Sequence, residues 1–136
     1  MSKILLFILL IVFPGVYTHS EINPADIVIK PHNPVVYFTP GEGVVLDVMV
    51  LNKGGETLTI KEVKGSCYCA SVIVNNKDLR PMGKGKLTLQ VSTERMGEDS
   101  LTRVDYTVYS NAKDSIYSFP LLLLNRLFVK DSVKNN

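Results

Sequence analysis

Apolar and polar residues alternate along most of the chain after residue 26. In the clearest case Leu87, Leu89 and Val91 share one side of a segment whose other side is polar. The same two-residue period recurs in three further segments, 43–52, 57–66 and 102–110. A period of two with one apolar face is typical of a half-buried antiparallel strand. The pattern therefore predicts a protein built mainly of β-strands.

Turn-forming residues separate these segments, because Gly, Pro, Asn and Asp cluster between them. The resulting strand prediction covers 26–38, 43–52, 57–66, 67–75, 85–93, 102–110 and 115–129. About seven short strands with regular turns predict an all-β, immunoglobulin-like antiparallel β-sandwich, with a small closed barrel as the alternative. The chain has no Trp and its cysteines are not widely spaced, so the core of an antibody domain is excluded.

The first twenty residues form a separate segment with a lysine near its start and an unbroken apolar run from Ile4 to Val12. Thr18 and Ser20 place small residues at the −3 and −1 positions of a cut before Glu21. This pattern predicts a secretory signal peptide at 1–20. The alternative is a retained membrane anchor, but the apolar stretch is shorter than the roughly 20 residues that span a bilayer.

Length and charge narrow the remaining classes. The chain has 136 residues, which predicts one domain over 21–130 followed by a polar tail at 131–136. Its 15 basic and 13 acidic residues give a formal net charge of +2. A nucleic-acid-binding protein normally gathers Lys and Arg on one face, so this mixed balance argues against a nucleic-acid partner. Once the leader is removed, the sequence predicts no membrane span.

Cys67 and Cys69 are the two cysteines of the chain. On an extended strand they would point to the same side, with Cα atoms roughly 6.5 Å apart. Three interpretations remain open: a local disulfide or two buried thiols, a redox-active or partner-linking pair, and a soft-metal site for copper or zinc. Met82 or Met96 would supply a thioether in the third case, although two thiolates fall short of a closed zinc site.

Catalytic residues are not indicated. His32, which lies between two prolines, is interpreted as a solvated loop residue, and the sequence holds no nucleophile-elbow, metalloprotease or phosphate-loop motif. Asp105 with Glu98 or Asp99 would be a candidate carboxylate pair, but charges at such positions are usually solvated surface. We therefore expect a protein that is not an enzyme.

Four consecutive leucines at 121–124 interrupt the alternation, so both faces of the last strand are apolar. Phe119, Leu121 and Leu123 fall in phase with Tyr117, and this set is expected to pack inward. Leu122 and Leu124 are then expected on the outer face, covered by the segment 26–38 or a loop, or exposed as a docking strand for a partner. A proline at 120 suggests that this strand lies at a sheet edge.

Residues 52–111 also carry a series of short motifs: Asn52-Lys53-Gly54, Leu58-Thr59-Ile60, Ser66-Cys67-Tyr68-Cys69-Ala70, Pro81-Met82-Gly83 and Ser110-Asn111. The series resembles the bacterial domain-of-unknown-function family 1573, which reads N-x-G…L-x-I…S-C-G-C-T…I-x-P-G-x-x-G…S-N. The resemblance implies an exported immunoglobulin-like module. The chain departs from the pattern at Tyr68, which replaces Gly, at Ala70, which replaces Thr, and at Met82, which separates Pro from Gly.

Two functions remain open at this point. The first is an exported, non-enzymatic β-sandwich module that contacts an envelope or secreted protein in the periplasm or outside the cell. The second is a soft-metal or redox carrier that uses Cys67 and Cys69. The strand pattern, the apolar last strand and the lack of catalytic motifs favour the first.

If the leader is removed after Ser20, the exported protein should have the mass of residues 21–136 and begin at Glu21. We expect this result because the apolar run is too short to span a bilayer. Intact-protein mass spectrometry of the native exported chain provides the measurement. A chain that is extracted from membranes and still begins at Met1 would show that the leader is retained as an anchor.

Overall fold

The computed structural model describes Gly15, residues 21–97 and residues 99–133, the last four of them by backbone only. The predicted signal peptide at 1–20 lies outside the described residues except for Gly15. Most of the described chain forms a two-sheet β-sandwich. Its strands are β1 (Ile27–Lys30), β2 (Val35–Phe38), β3 (Val44–Asn52), β4 (Leu58–Gly65), β5 (Ala70–Val74), β6 (Asp78–Leu79), β7 (Lys84–Val91), β8 (Leu101–Ser110) and β9 (Ile116–Asn125).

One sheet has the order β1-β3-β7-β5 and the other has the order β2-β9-β8-β4-β6. The predicted all-β sandwich is confirmed, but the described chain contains nine strands rather than seven. The segment 26–38 does not form one strand, because Pro31 and Pro34 interrupt it and proline cannot donate a ladder hydrogen bond. Its halves β1 and β2 enter different sheets, and β2 pairs with β9 in parallel while the other pairs are antiparallel.

The last predicted strand, 115–129, is too long. β9 ends at Asn125, and a helix α1 (Arg126–Val133) follows. The Asn125 side-chain oxygen accepts a hydrogen bond of 3.0 Å from the Leu127 N–H, as expected of an N-cap residue. The helix also includes the first residues of the predicted polar tail at 131–136. No helix in the part of the chain that the structure describes is long and apolar enough to cross a membrane.

The core lies between the two sheets and is filled from alternate positions of their strands. Tyr106 of β8 lies opposite Phe119 of β9, and their stacked rings have centroids 5.8 Å apart. The Tyr106 hydroxyl donates a hydrogen bond of 3.2 Å to the carbonyl of Gln90 in the other sheet. The prediction that Tyr117, Phe119, Leu121 and Leu123 pack inward is confirmed. The last three are buried, and Tyr117 is half-buried against the core.

Asn52, at the end of β3, is a fully buried polar residue. Its side-chain oxygen accepts hydrogen bonds from the N–H groups of Asp26 (3.2 Å) and Gly54 (3.0 Å). Its amide nitrogen donates to the carbonyls of Glu56 (2.7 Å) and Leu79 (3.0 Å). One side chain therefore joins the N-terminal segment, the β3–β4 loop and β6. Because all four bonds are made, this buried amide carries no desolvation penalty of the kind an unpaired group would.

Replacing Asn52 with Ala should lower the free energy of unfolding by about 3–5 kcal/mol, because it leaves two buried and two part-buried backbone groups without partners. Urea unfolding followed by circular dichroism provides the measurement. Asn111→Ala is the matched control, since the exposed Asn111 side chain also bonds two backbone groups, the Thr59 N–H and the Thr57 carbonyl. Its cost should be only about 1 kcal/mol, because water replaces the lost partners. Equal losses in the two variants would contradict this interpretation.

Burial raises the pKa of the Tyr106 hydroxyl from 10.0 to about 12. Between these values the unfolded chain releases the proton while the native chain keeps it, so stability falls as pH rises. The contribution of Tyr106 to the free energy of unfolding should be constant below pH 10. Between pH 10 and pH 12 it should decline by roughly 2–3 kcal/mol. Urea unfolding from pH 9 to pH 12 should show a shallower decline for Tyr106→Phe than for the unaltered chain. Parallel declines would show that another group causes the loss.

Candidate functional site

The two cysteines lie in the turn that joins β4 to β5. The expectation that they lie on an extended strand is wrong, because β5 begins only at Ala70. The Ala70 N–H donates a 3.2 Å hydrogen bond to the Cys67 carbonyl, which closes a four-residue turn. This turn brings the two Cα atoms to 5.1 Å, inside the range usual for a disulfide, and the two sulfur atoms are bonded to each other.

This turn crosses from one sheet to the other and is fastened to both. On the five-stranded side, the backbone carbonyl of Asp105 in β8 accepts a hydrogen bond of 2.8 Å from the Ser66 N–H. The Asp105 N–H donates one of 3.0 Å to the Ser66 hydroxyl. On the four-stranded side, the Cys69 carbonyl accepts a 2.8 Å hydrogen bond from the Ser92 N–H. The backbone around the disulfide is therefore held in place by bonds that do not involve sulfur.

A cleft of about 440 Å³, which we call the cysteine cleft, opens beside the turn. Cys69 and Tyr68 line it on one side, and Ser92 and Glu94 line it near the end of β7. A smaller pocket of about 240 Å³ shares these four residues and adds Arg95. The Tyr68 side chain is fully exposed at the apex of the turn, whereas both cysteines are half-buried. Cys69 is therefore the cysteine that these two cavities reach.

The described residues give the metal interpretation of the cysteine pair little support, because they contain no group of three or more His, Cys, Asp or Glu side chains able to hold a metal ion. Both sulfur atoms are also engaged in the disulfide. Neither predicted thioether joins the pair. Met82 is exposed in the turn before β7, at the far end of that strand from Ser92, and Met96 is half-buried against the core.

The other side chains considered for catalysis are separate from one another. The Asp105 carboxylate is paired with Arg103, whose guanidinium lies 2.8 Å away, rather than with Asp99, and Glu98 lies outside the described residues. His32 is exposed, with its Nδ1 atom 3.5 Å from the Tyr117 hydroxyl. Asp99 lies near Asn125 at the end of β9, whereas Asp105 lies opposite Pro120, so these two carboxylates do not form a pair.

The outer face of the five-stranded sheet carries a continuous apolar surface, which we call the outer patch. Direct strand pairing places Val35 opposite Leu122 and Tyr37 opposite Leu124, with Leu101 opposite Leu124 from the other side. Val35, Tyr37 and Leu101 are 50%, 51% and 51% exposed, respectively, whereas Leu122 and Leu124 are half-buried by these neighbours. The segment 26–38 thus flanks the two leucines through β2 and extends the apolar surface instead of covering it.

β9 is an edge strand at Pro120, as expected, but not at Leu122–Asn125, where the patch lies. β2 pairs with Leu122–Asn125, while the earlier part of β9 has β8 on one side only. The Leu122 N–H points toward β2, where it donates a 2.9 Å hydrogen bond to the Pro34 carbonyl. Residues two apart in a strand point the same way, so the missing N–H of Pro120 falls on the side without a strand partner.

The outer face of the four-stranded sheet carries three exposed apolar residues, Val45, Met49 and Ile73, and polar residues separate these three from one another. Val28 and Leu51, which lie opposite each other beside Met49, are half-buried. Asp47 accepts a 2.7 Å hydrogen bond from Thr88 and is paired with Lys86. The Thr88 hydroxyl, followed by the Lys86 ammonium, lowers the pKa of the Asp47 carboxyl, which keeps the carboxylate charged.

Sequence reasoning found Leu122 and Leu124 but missed Val35, Tyr37 and Leu101, which complete the outer patch. Alternation within each strand is a signal for their outward direction. Strand pairing brings them together, however, and the parallel β2–β9 pair has no signal in the local sequence. Ser92 of the cysteine cleft and Arg95 of the smaller pocket were missed for the same reason, because they approach Cys69 only through the β5–β7 pairing.

The model of a protein family described as "Protein of unknown function (DUF1573)" matches residues 37–121, more than half of the chain. The chain belongs to the DUF1573 family. This confirms the family suggested by the C-x-C motif and its neighbours. Among curated proteins, no sequence matches this DUF1573 chain.

Solved structures similar to this DUF1573 protein share its fold at low identity. A protein of unknown function from Porphyromonas gingivalis W83 has a TM-score of 0.67 at 11% identity, covering 81% of this chain and 51% of its own. This chain thus spans about half of that protein. The ASH/PapD-like domain 7 of human CEP192 has a TM-score of 0.55 at 10% identity, and the match covers 75% of this chain and 86% of that domain's chain. The YadV chaperone has a TM-score of 0.53 at 13% identity, and the match covers 74% of this chain and 51% of the chaperone chain.

Most of the DUF1573 motif positions have structural roles in this chain. Asn52 is the buried amide described above, and a Cβ on Gly54 would lie 2.6 Å from the Ala25 Cα atom. Ser66 joins β4 to β8, and Asn111 joins β8 to β4. Met82 adopts a left-handed φ of 62° in the turn closed by the Gly83 N–H and the Arg80 carbonyl, where the family pattern has glycine. Among these motif positions, the cysteine pair carries the side chains that can undergo a redox reaction.

Proposed function

We propose that this protein is an exported, non-enzymatic β-sandwich module that acts through contact with a protein of the cell envelope. The observation that carries the proposal is the outer patch. Apolar surface that is contiguous, exposed and rimmed by polar residues marks an interaction site more often than scattered apolar residues do. The outer patch fits this description, whereas polar residues separate the exposed apolar residues on the outer face of the four-stranded sheet.

The patch is built on strands rather than loops. Leu122 and Leu124 lie in the middle of the surface, flanked by β2 on one side and β8 on the other. The Arg103–Asp105 ion pair, 2.8 Å between its nearest atoms, lies at the rim beside Leu122. A partner with an apolar centre and charges able to pair with this rim would match the arrangement of protein interfaces, which have apolar cores and polar rims.

Two further observations support the proposal. The leader at 1–20 has the three parts of a secretory signal peptide, which supports export and an envelope partner. The similar solved structures include a chaperone, YadV, so a sandwich of this shape occurs in a protein that handles other proteins. Fold likeness does not establish function by itself, and the proposal therefore depends on the patch.

The double variant Leu122→Thr/Leu124→Thr should lose its partner and keep its fold. Threonine suits a strand but removes most of the apolar contact area, so the melting temperature should change by no more than about 5 °C. Cross-linking of the exported protein in intact cells, followed by mass spectrometry, measures which envelope protein is bound. We expect one envelope protein to be cross-linked through the patch in the unaltered chain and to be absent from the double variant.

Val45→Thr/Ile73→Thr is the matched control, because it removes two exposed apolar residues from the outer face of the other sheet. This control should retain the cross-linked protein. A drop of more than about 10 °C in the melting temperature of the leucine variant would show that these leucines belong to the core. Equal cross-linking in both variants would contradict the proposed surface.

A further inference from the structure

The Cys67–Cys69 disulfide closes a loop with a single intervening residue. The conformational entropy that a cross-link removes from the unfolded chain grows with the number of residues it encloses, so this bond is among the least effective for stability. The turn is also closed by the Ala70 N–H bond to the Cys67 carbonyl, and it is fastened to both sheets by Ser66 and Ser92. Breaking the disulfide should therefore leave both cysteines in place.

The disulfide is accessible from one side. Cys69 lines both the cysteine cleft of about 440 Å³ and the adjoining pocket of about 240 Å³. The fully exposed Tyr68 ring stands at the apex of the turn, where no neighbouring residue covers it. A thiolate needs this kind of access to approach a disulfide sulfur, because exchange proceeds by direct attack on sulfur.

Arg95 places a guanidinium group at the smaller pocket. Its side chain lines the smaller pocket together with Cys69 and Glu94. Within the described residues Arg95 forms no ion pair, so Glu94 does not neutralise its guanidinium by direct contact. A nearby cation stabilises a cysteine thiolate, and a better stabilised thiolate leaves a mixed disulfide more readily. The Arg95 guanidinium therefore favours the release of Cys69 as a thiolate, and the Glu94 carboxylate in the same pocket acts against it.

We propose that Cys67 and Cys69 form a thiol–disulfide exchange site whose substrate is a dithiol. A thiolate of the dithiol attacks the Cys69 Sγ atom, the sulfur–sulfur bond breaks, and Cys67 leaves as a thiolate. The second thiolate of the substrate then attacks the substrate sulfur of this mixed disulfide, and Cys69 leaves as a thiolate into the pocket that Arg95 lines. The substrate is oxidised to a disulfide and loses two electrons, while the cysteine pair gains two electrons and takes up two protons from solvent.

This activity is separate from the proposed partner contact. The outer patch contains no cysteine, and the cysteine cleft contains none of the five patch residues. A chain that binds its partner and fails to exchange thiols would refute the exchange site alone. A chain that exchanges thiols and binds no envelope protein would refute the outer patch alone.

The test uses the full exported chain with reduced dithiothreitol as the dithiol, and counts alkylated cysteines by intact mass at timed points. The reference is an oxidised peptide of residues 65–70, which contains the same disulfide without the fold. We expect the native protein to be reduced at least about tenfold faster than the peptide, with an unchanged melting temperature, and to be reoxidised by oxidised dithiothreitol. Rates equal to or lower than those of the peptide would overturn the proposal, because the fold would then contribute nothing.

Single variants test the direction of attack. Cys67→Ser leaves the Cys69 thiol and Cys69→Ser leaves the Cys67 thiol, and each is mixed with an aromatic disulfide that releases a coloured thiolate. Cys69 should react about tenfold faster, since it lines the cleft. Arg95→Gln in the Cys67→Ser background should slow the reaction severalfold, and Arg95→Lys should restore it. Equal rates for the two cysteines, or no effect of Arg95→Gln, would contradict the assigned roles.

Discussion

The fold depends most on the buried amide of Asn52. An amide group buried among apolar side chains is costly unless its donors and acceptors are paired, and Asn52 meets this condition with four backbone partners. Those partners belong to segments far apart in the chain, from Asp26 to Leu79. The bonds therefore fix how the N-terminal segment and β6 close one end of the sandwich, which hydrophobic burial alone leaves unspecified because it has no direction.

The cysteine turn lies at the other end of β7 from this amide. The backbone carbonyl of Asn52 accepts a hydrogen bond from the Met82 N–H just before β7 begins. The backbone carbonyl of Cys69 accepts one from the Ser92 N–H just after β7 ends. The two ends are thus organised by different means. One end uses a buried side-chain amide, and the other uses a half-buried disulfide on a turn that hydrogen bonds already secure. This separation allows chemistry at sulfur without disturbance of the buried network.

The outer patch and the cysteine turn approach each other along β8. Ser66 bonds to Asp105, and Asp105 is paired with Arg103, which lies opposite Leu122 of the patch. These contacts connect the two regions through β8, although the outer patch and the cysteine cleft share no residue.

The sequence by itself determined the strands, the two-sheet fold and the family, because alternation, turn residues and short motifs are local signals. It also determined that Leu121 and Leu123 face inward, since four apolar residues on one face outweigh a face with a serine. Only the tertiary structure decided that β1 and β2 enter different sheets, that Asn125 ends β9 by capping a helix, and that the cysteines lie in a turn. Strand pairing between distant segments decides these features, and a local pattern does not encode which strands become neighbours.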